Sequence, residues 1–339
     1  MEKVKAPFVW FGGKRRVADE VWAALGDVDN YVEPFAGSCA VLLGRQHDFM
    51  DGHRRAETVN DADGFLANFW RAVAHDPDAV AHYADYPVNE VDLFARHLWL
   101  VNTGRSVLLN GMEADPDFYD AKIAGWWVWG VNAWIGSGWC AGTGPWMTDD
   151  EGIVSKLPHL GDAGRGINRQ LPHLGNAGRA GYNNIKTKNR ITDYFYEIAD
   201  RLRDVRVCCG DWSRVVTRGA LSFGATVGVF LDPPYLGDVR TADLYAVDDH
   251  TIAHEVRQWA LDNGDDPRLR IVLAGYSDEH DDLIPDTWAR HRYSASASYQ
   301  TTANKGGQNA ENRHNEVLWM SPSCAPAPRG RSLFDEDVA

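Results

Sequence analysis

Residues 231–235, Leu-Asp-Pro-Pro-Tyr, form the segment whose residue types and spacing point most directly to chemistry. The Asp232 carboxylate and the Pro233 carbonyl are two adjacent hydrogen-bond acceptors, and Pro233 and Pro234 stiffen the backbone that presents them. Two such acceptors suit an amino group conjugated to an aromatic ring, because holding its hydrogens frees a lone pair that is otherwise delocalised. Tyr235 offers a face on which a base swung out of a nucleic-acid helix stacks. The structural alternative is a Pro-Pro turn that closes a strand.

A second segment, residues 31–38 (Tyr-Val-Glu-Pro-Phe-Ala-Gly-Ser), combines an apolar run with a glycine turn just before a predicted helix. A strand, a glycine turn and a helix start form a cradle of the nucleotide-binding type. The segment lacks the three glycines of a dinucleotide site, which disfavours a nicotinamide enzyme. Asp61 ends the next predicted strand, 24 residues after Gly37, close to the offset at which an acidic residue binds ribose hydroxyls.

The third segment, residues 7–14 (Pro-Phe-Val-Trp-Phe-Gly-Gly-Lys), is not a phosphate loop. Phe8 stands where such a loop has its first glycine, and Arg15 stands where it has a magnesium-binding Ser or Thr. Trp10 suits packing on an adenosine or methionine moiety, and Lys14 suits contact with a carboxylate. A glycine turn before an amphipathic helix is the structural alternative.

Taken in chain order, 7–14, then 31–38, then 231–235, the three segments resemble the Dam-like family of S-adenosylmethionine-dependent DNA adenine-N6 methyltransferases. The resemblance covers roughly residues 7–65 and 190–321. It implies that the target base lies against Asp232, Pro233, Pro234 and Tyr235. It also implies cofactor binding by six residues, namely Trp10, Lys14, Phe35, Gly37, Asp61 and Asp211. One departure from the family pattern is Ser38, where many relatives carry a second glycine.

The expected reaction is a direct in-line methyl transfer to adenine N6 that needs neither a metal nor a covalent intermediate. Cytosine-N4 methylation remains open, since the same acceptors can hold that amine; Asp rather than Ser at position 232 favours adenine by resemblance alone. RNA as the substrate also remains open. An alternative of another class is a non-catalytic DNA-binding module on the same fold, which the intact residues 232–235 disfavour.

Alternating apolar and amphipathic stretches predict the elements that position these residues. Predicted strands are 31–35, 58–61, 206–209, 227–232, 271–274, and a closing antiparallel pair at 291–298 and 315–320. Predicted helices are 14–25, 39–46, 64–74, 88–101, 116–129, 190–203 and 250–261. The pattern indicates a Rossmann-like, doubly wound mixed α/β sheet of about seven strands, with ligands bound at the carboxyl ends of the strands.

Residues 65–190 interrupt this alternation. We expect residues 1–64 and 191–321 to form a discontinuous catalytic domain, 65–190 an inserted, mainly helical target-recognition domain, and 322–339 a disordered tail. The insertion contains two copies of a ten-residue repeat, 157–166 and 171–180, too few for a solenoid. Six of its tryptophans lie between residues 126 and 146, and we interpret most of these six as core: Trp126, Trp127, Trp129, Trp134, Trp139 and Trp146.

The chain has a net charge of −14, yet residues 152–190 contain seven basic residues and one acidic residue. A basic island on an acidic body is typical of a localised nucleic-acid contact, and a solvated loop is the alternative. The predicted contacts to double-stranded DNA are Arg165, Arg169, Arg179, Lys186 and Lys188.

Five cysteines with irregular spacing predict neither disulfides nor a metal site. Without a signal peptide or a membrane-length apolar run, we expect a cytoplasmic protein of a bacterial or phage-infected cell. Ser332–Phe334 resemble a degenerate sliding-clamp-binding peptide, although a tail without function is the preferred interpretation.

Overall fold

The computed structural model describes residues 4–8, 10, 13–45, 55–134, 139–140, 146–148, 154–156, 185–234, 249–293 and 316–325. Its strands are, in chain order, β1 (Asn30–Glu33), β2 (Ala56–Asp61), β3 (Trp146–Thr148), β4 (Val154–Lys156), β5 (Val205–Cys209), β6 (Val227–Leu231), β7 (Leu269–Tyr276), β8 (Ala289–Tyr293) and β9 (Glu316–Met320). Its helices are α1 (Ala18–Leu25), α2 (Ala40–Gly44), α3 (Gly64–His75), α4 (Pro77–Ala84), α5 (Glu90–Trp99), α6 (Arg105–Ala114), α7 (Ala121–Ala133), α8 (Ile185–Leu202), α9 (Asp249–Asn263) and α10 (Ser277–His280).

Seven strands form one sheet in the order β5-β2-β1-β6-β7-β9-β8. The first five of these strands are parallel to one another, whereas β9 runs antiparallel to both β7 and β8. This arrangement confirms the predicted Rossmann-like mixed sheet and its closing antiparallel pair. Of the predicted strand 291–298, the part after residue 293 lies outside the described residues.

Both faces of the central strands β1, β6, β7 and β9 are buried, which explains why the parallel strands among them appear in the sequence as continuous apolar runs. Phe230 and Leu318 point to one face, where they join a core built with α1, α2, α3, α7 and α8. Their neighbours Val229 and Trp319 point to the other face and pack with α9 and the segment 212–221. The alternation fixes the register, since a one-residue shift would exchange the two faces.

The helices between residues 65 and 190 differ most from the sequence-based expectation. Helix α5 does not stop near residue 101 but continues through a π-helical turn, Leu100–Gly104, into α6. The helix predicted to begin at Pro116 begins at Ala121, because the Asp120 side chain accepts a hydrogen bond of 2.8 Å from the Ile123 N–H and caps it. Neither α4 nor the β3–β4 hairpin was predicted. None of the described helices is both long and apolar enough to cross a membrane.

Of the six tryptophans between residues 126 and 146, three are buried and two, Trp126 and Trp139, are partly buried, whereas the Trp146 side chain is not among the described ones. Trp127 and Trp129 are fully buried, and Trp134 is 6% exposed. Phe8 of the N-terminal segment stacks edge-on against Trp127 with ring centroids 5.1 Å apart. The helices α3, α4 and α7 therefore share a core with one face of the sheet. The division into a catalytic and a recognition domain stays a prediction.

A buried ion cluster joins α8 and the end of α2 to the sheet. Arg201 donates two hydrogen bonds to the Glu57 carboxylate, at 2.6 and 3.0 Å, and Arg45 donates a third at 3.0 Å. All three side chains are at most 6% exposed. Burial alone would raise the pKa of Glu57, but the two guanidinium groups hold it below its usual value. Glu57 is therefore an ionised anchor on β2 for the helix that leads the chain back to β5.

Candidate active site

Four acidic residues lie at one edge of the sheet because four parallel strands end there. Glu33 ends β1 and Asp61 ends β2, whereas Asp211 and Asp232 follow β5 and β6 within two residues. The strand register places Asp61 opposite Cys209, the last residue of β5. The structure thus brings three predicted acids, Asp61, Asp211 and Asp232, to the edge at which doubly wound proteins bind their ligands.

The glycine turn after β1 lies against two of the predicted site residues, Asp61 and Trp10, and is also bound by Trp70, which was not predicted. The Gly37 N–H donates to Asp61 Oδ2 at 2.8 Å, and the Gly37 carbonyl accepts from the Trp70 indole at 3.0 Å. Gly37 has a φ of +47°, and a Cβ at this position would lie 2.8 Å from Trp10 Cδ1. Trp10, Gly37 and Asp61 therefore meet as one unit, and Gly37 has no room for a side chain.

Asn60 ties the loops after β1 and β5 together. Its buried side-chain amide donates to the Pro34 carbonyl at 3.0 Å and to the Gly210 carbonyl at 2.9 Å. The Gly210 N–H in turn donates to the Asp61 carbonyl at 3.1 Å. Asn60 was not predicted as a site residue, and its place directly before Asp61 is the signal in the sequence that marks it.

The pKa of the Asp61 carboxyl is raised above its usual value. Desolvation, followed by the charge of Asp63, raises the pKa of its carboxyl to about 6, although backbone N–H groups of Asp63 and Gly37 oppose this rise. Each carboxylate oxygen accepts one of those backbone bonds, and a carboxylate oxygen can accept a second hydrogen bond. The predicted binding of a ribose hydroxyl is thus compatible with the observed contacts.

Trp212 connects Phe35 with Asp211: its ring stacks on that of Phe35, and it directly follows Asp211 in the chain. The Phe35 ring, half-buried, stacks on Trp212 with centroids 6.1 Å apart and planes inclined by 28°. Asp211 is exposed and accepts a hydrogen bond of 2.9 Å from the Ser213 N–H, which caps the short helical turn Trp212–Val215. Trp212 was not predicted as part of the site.

An ion pair joins the first and last motifs of the site. The Lys14 ammonium lies 3.0 Å from Asp232 Oδ1, and the two side chains are 5% and 19% exposed. Lys14 begins a short 3-10 turn directly after Gly13. Pro233 is buried and Pro234 is partly buried, whereas Tyr235 lies outside the described residues.

Glu33 is a buried carboxyl that the sequence-based prediction missed. Its Oε2 accepts a hydrogen bond from the Tyr31 hydroxyl at 2.9 Å and one from the Leu42 N–H at 3.3 Å. Desolvation raises its pKa to about 8, and the charges of Asp232 and Asp61 act in the same direction. An acidic residue inside an apolar strand run is the sequence signal that marks it.

The predicted DNA contacts cannot be placed. Arg165, Arg169 and Arg179 lie outside the described residues, as do both repeat copies and Ser332–Phe334. Lys186 and Lys188 belong to α8, but their side chains are not among the described ones. These contacts therefore stay predictions.

One comparison with known proteins bears on this site. Residues 10–96 match the model of a family described as D12 class N6 adenine-specific DNA methyltransferase. The matched range contains Trp10, Lys14, the glycine turn around Gly37 and Asp61, but it ends well before Asp232. No curated protein matches the chain.

Proposed function

We propose that this chain methylates N6 of an adenine turned out of double-stranded DNA, with S-adenosylmethionine as the donor. The premise is the match of residues 10–96 to the D12 class of adenine-specific DNA methyltransferases. The observation that carries the finer proposal is the convergence at one sheet edge. A rigid acceptor, Asp232, is joined through Lys14 to the segment of Trp10, which in turn contacts Gly37.

The residues of the glycine turn suit S-adenosylmethionine. Asp61 and Asp211 supply carboxylates for hydroxyl and amino groups, and Trp10 and Phe35 supply partly exposed aromatic faces. When bound, the donor supplies a methyl group that its sulfonium already activates. The chain itself therefore has to bind, orient and desolvate the acceptor nitrogen.

Asp232 would orient that nitrogen. In the proposal its carboxylate and the Pro233 carbonyl accept the two hydrogens of the adenine amine, which favours a pyramidal nitrogen with a directed lone pair. The negative charge of Asp232 also stabilises the positive charge that develops on the nitrogen. Tyr235 is proposed as the stacking face for the base, and the basic residues Arg165, Arg169, Arg179, Lys186 and Lys188 as contacts to phosphates or bases of the DNA.

The test is a methyl-transfer assay on Asp232→Ala, with Asp232→Asn as the variant that keeps the shape of the side chain. We expect Asp232→Ala to abolish transfer and Asp232→Asn to reduce it by about 100-fold or more, because a preorganised charged acceptor commonly contributes that much. Donor binding, measured by calorimetry, should stay within about threefold of the wild type, since Asp232 is not proposed to hold the donor.

The same assay decides among the alternatives. Labelled methyl transfer to DNA and to RNA compares the polymers, and mass analysis of the digested nucleosides distinguishes N6-methyladenine from N4-methylcytosine. If the wild type binds no S-adenosylmethionine, the proposal is wrong and a non-catalytic DNA-binding role takes its place. If Asp232→Ala loses donor binding together with activity, Asp232 does not have the role assigned to it.

A further inference from the structure

Lys14 places a charged side chain in a nearly closed environment at the reactive edge. Its side chain is 5% exposed, so bulk water contributes little to solvating the ammonium. A buried ammonium is stable only beside an anion or several acceptors. The structure provides the Asp232 carboxylate, 3.0 Å away.

The backbone before Lys14 is held in place. The Gly13 N–H donates to the Trp10 carbonyl at 3.1 Å, and a Cβ on Gly13 would lie 3.8 Å from Ser38 Oγ. The Lys14 backbone is thus tied to the segment that carries Trp10, while its ammonium reaches the carboxylate after β6. The contact joins parts of the chain that are more than 200 residues apart.

Other carboxyl groups lie near Asp232, so a positive charge beside it stabilises its ionised form. Glu33 on β1 and Asp61 on β2 lie at the same edge as Asp232. The charges of Asp232 and Asp61 both act on Glu33, and the charge of Asp63 acts on Asp61. When carboxylates lie close together, their repulsion favours protonation of one of them. An ammonium next to a carboxylate instead favours the ionised form of that carboxylate. Lys14 places a positive charge directly beside Asp232.

We propose that Lys14 is a positioning residue for the methyl transfer: it binds Oδ1 of Asp232, keeps that carboxylate ionised and orients Oδ2 toward the target amine. The inference rests on the proposed function, and it assigns Lys14 to the acceptor side of the reaction. A carboxylate has lone pairs on both oxygens, so the ion pair and the amine do not compete for the same atom.

The test compares the pH profile of kcat for Lys14→Met, Lys14→Arg and the wild type, with donor and DNA saturating. Lys14→Met should move the acidic limb of the profile upward by about one pH unit or more, because the nearby positive charge is lost. At any pH below the wild-type midpoint of this limb, a shift of one unit corresponds to a loss of about tenfold in kcat. Lys14→Arg should keep the acidic limb near its original position. The same pH profile measured for Glu33→Gln shows how much of the acidic limb is due to the titration of Glu33.

Donor binding separates this role from a cofactor role. Calorimetry of Lys14→Met should give a dissociation constant for S-adenosylmethionine within about threefold of the wild-type value. An unchanged acidic limb with weakened donor binding would overturn the inference and place Lys14 at the donor. A wild-type protein that methylates neither DNA nor RNA would overturn the proposed function and this inference together.

A double-mutant cycle on thermal stability tests the ion pair even if Lys14→Met folds too poorly for kinetics. Asp232→Asn leaves the buried ammonium without this carboxylate, and Lys14→Met leaves the carboxylate without this ammonium. The double variant removes both charges, so its loss in midpoint of thermal unfolding should be clearly smaller than the sum of the single losses. Additive losses would show that the two side chains do not form the pair on which the inference depends.

Discussion

At the scale of single residues, Glu33 makes the site sensitive to pH. Its carboxyl is buried at the end of β1 and has a pKa raised to about 8 from the usual 4.5. Between these values the folded protein keeps a proton on Glu33 that the unfolded chain releases. Stability from this group is therefore fully present below about pH 4.5 and is lost as the pH rises through about 8.

We accordingly expect Glu33→Gln to flatten the pH dependence of stability. Relative to this variant, the wild type should lose on the order of a few kcal/mol between pH 5 and pH 8 in urea denaturation. Asp61, whose pKa is raised to about 6, acts in the same direction in both proteins and largely cancels in the comparison. The exposed Glu113 on α6 provides the control, since Glu113→Gln should run parallel to the wild type. If Glu33→Gln also runs parallel to the wild type, Glu33 does not keep a proton in the folded state.

Gly37 gives a second prediction at this scale. Its positive φ, together with the 2.8 Å separation between Trp10 Cδ1 and the position that a Cβ would take, leaves no space for alanine. Gly37→Ala should displace Trp10, weaken S-adenosylmethionine binding by about tenfold and cost about 1–2 kcal/mol of stability. Gly219→Ala is the matched control, because a Cβ there meets no atom within 4 Å. If Gly37→Ala binds the donor as the wild type does, the turn is not part of the donor site.

The sequence allowed prediction of those site residues whose position is set by the end of a strand. Asp61, Asp211 and Asp232 were predictable because acids after apolar runs meet at one sheet edge. The Lys14–Asp232 contact was not, since nothing in sequence spacing links positions more than 200 residues apart. Trp212 was missed for a similar reason: its role depends on stacking with Phe35 across separate loops.

At the scale of secondary-structure elements, the Glu57 cluster anchors α8 to the sheet. Arg201→Met should destabilise the protein by about 3–5 kcal/mol, because it leaves a buried carboxylate with less than its full set of donors. Arg203→Met is the control: Arg203 pairs with Asp200 at the surface, with both side chains about 70% exposed, and should contribute about 0.5 kcal/mol or less. Urea denaturation compares the two, and equal losses would contradict an anchoring role for Glu57.

The elements of the sheet were predictable because burial on both faces produces apolar runs with clear ends. The inserted helices were harder to predict, since tertiary contacts set their limits. The Asp120 N–H bonds to the Asn68 side chain at 2.8 Å, which holds the residue that caps α7. The residues after Leu100, Val-Asn-Thr-Gly, suggest a helix end, yet a π-helical turn carries the chain into α6.

At the scale of the whole molecule, the N-terminal segment connects the helices to the glycine turn. Trp10 lies against Gly37 and has its ring centroid 6.0 Å from that of Trp127 on α7. Asn132, near the end of the same helix, donates to the Pro7 carbonyl at 3.1 Å. A displacement of α7 therefore bears directly on the residues proposed to hold the donor.

The place of β9 has a consequence for synthesis on the ribosome. β9 is the last described strand to be translated, yet it lies between β7 and β8, and it is the partner of β8 within the described sheet. Until residues 316–320 emerge, the nascent polypeptide exposes the backbone edges of two strands, and such edges template association between chains. The interval before β9 is translated is thus one in which nascent copies of this protein can associate through unpaired strand edges.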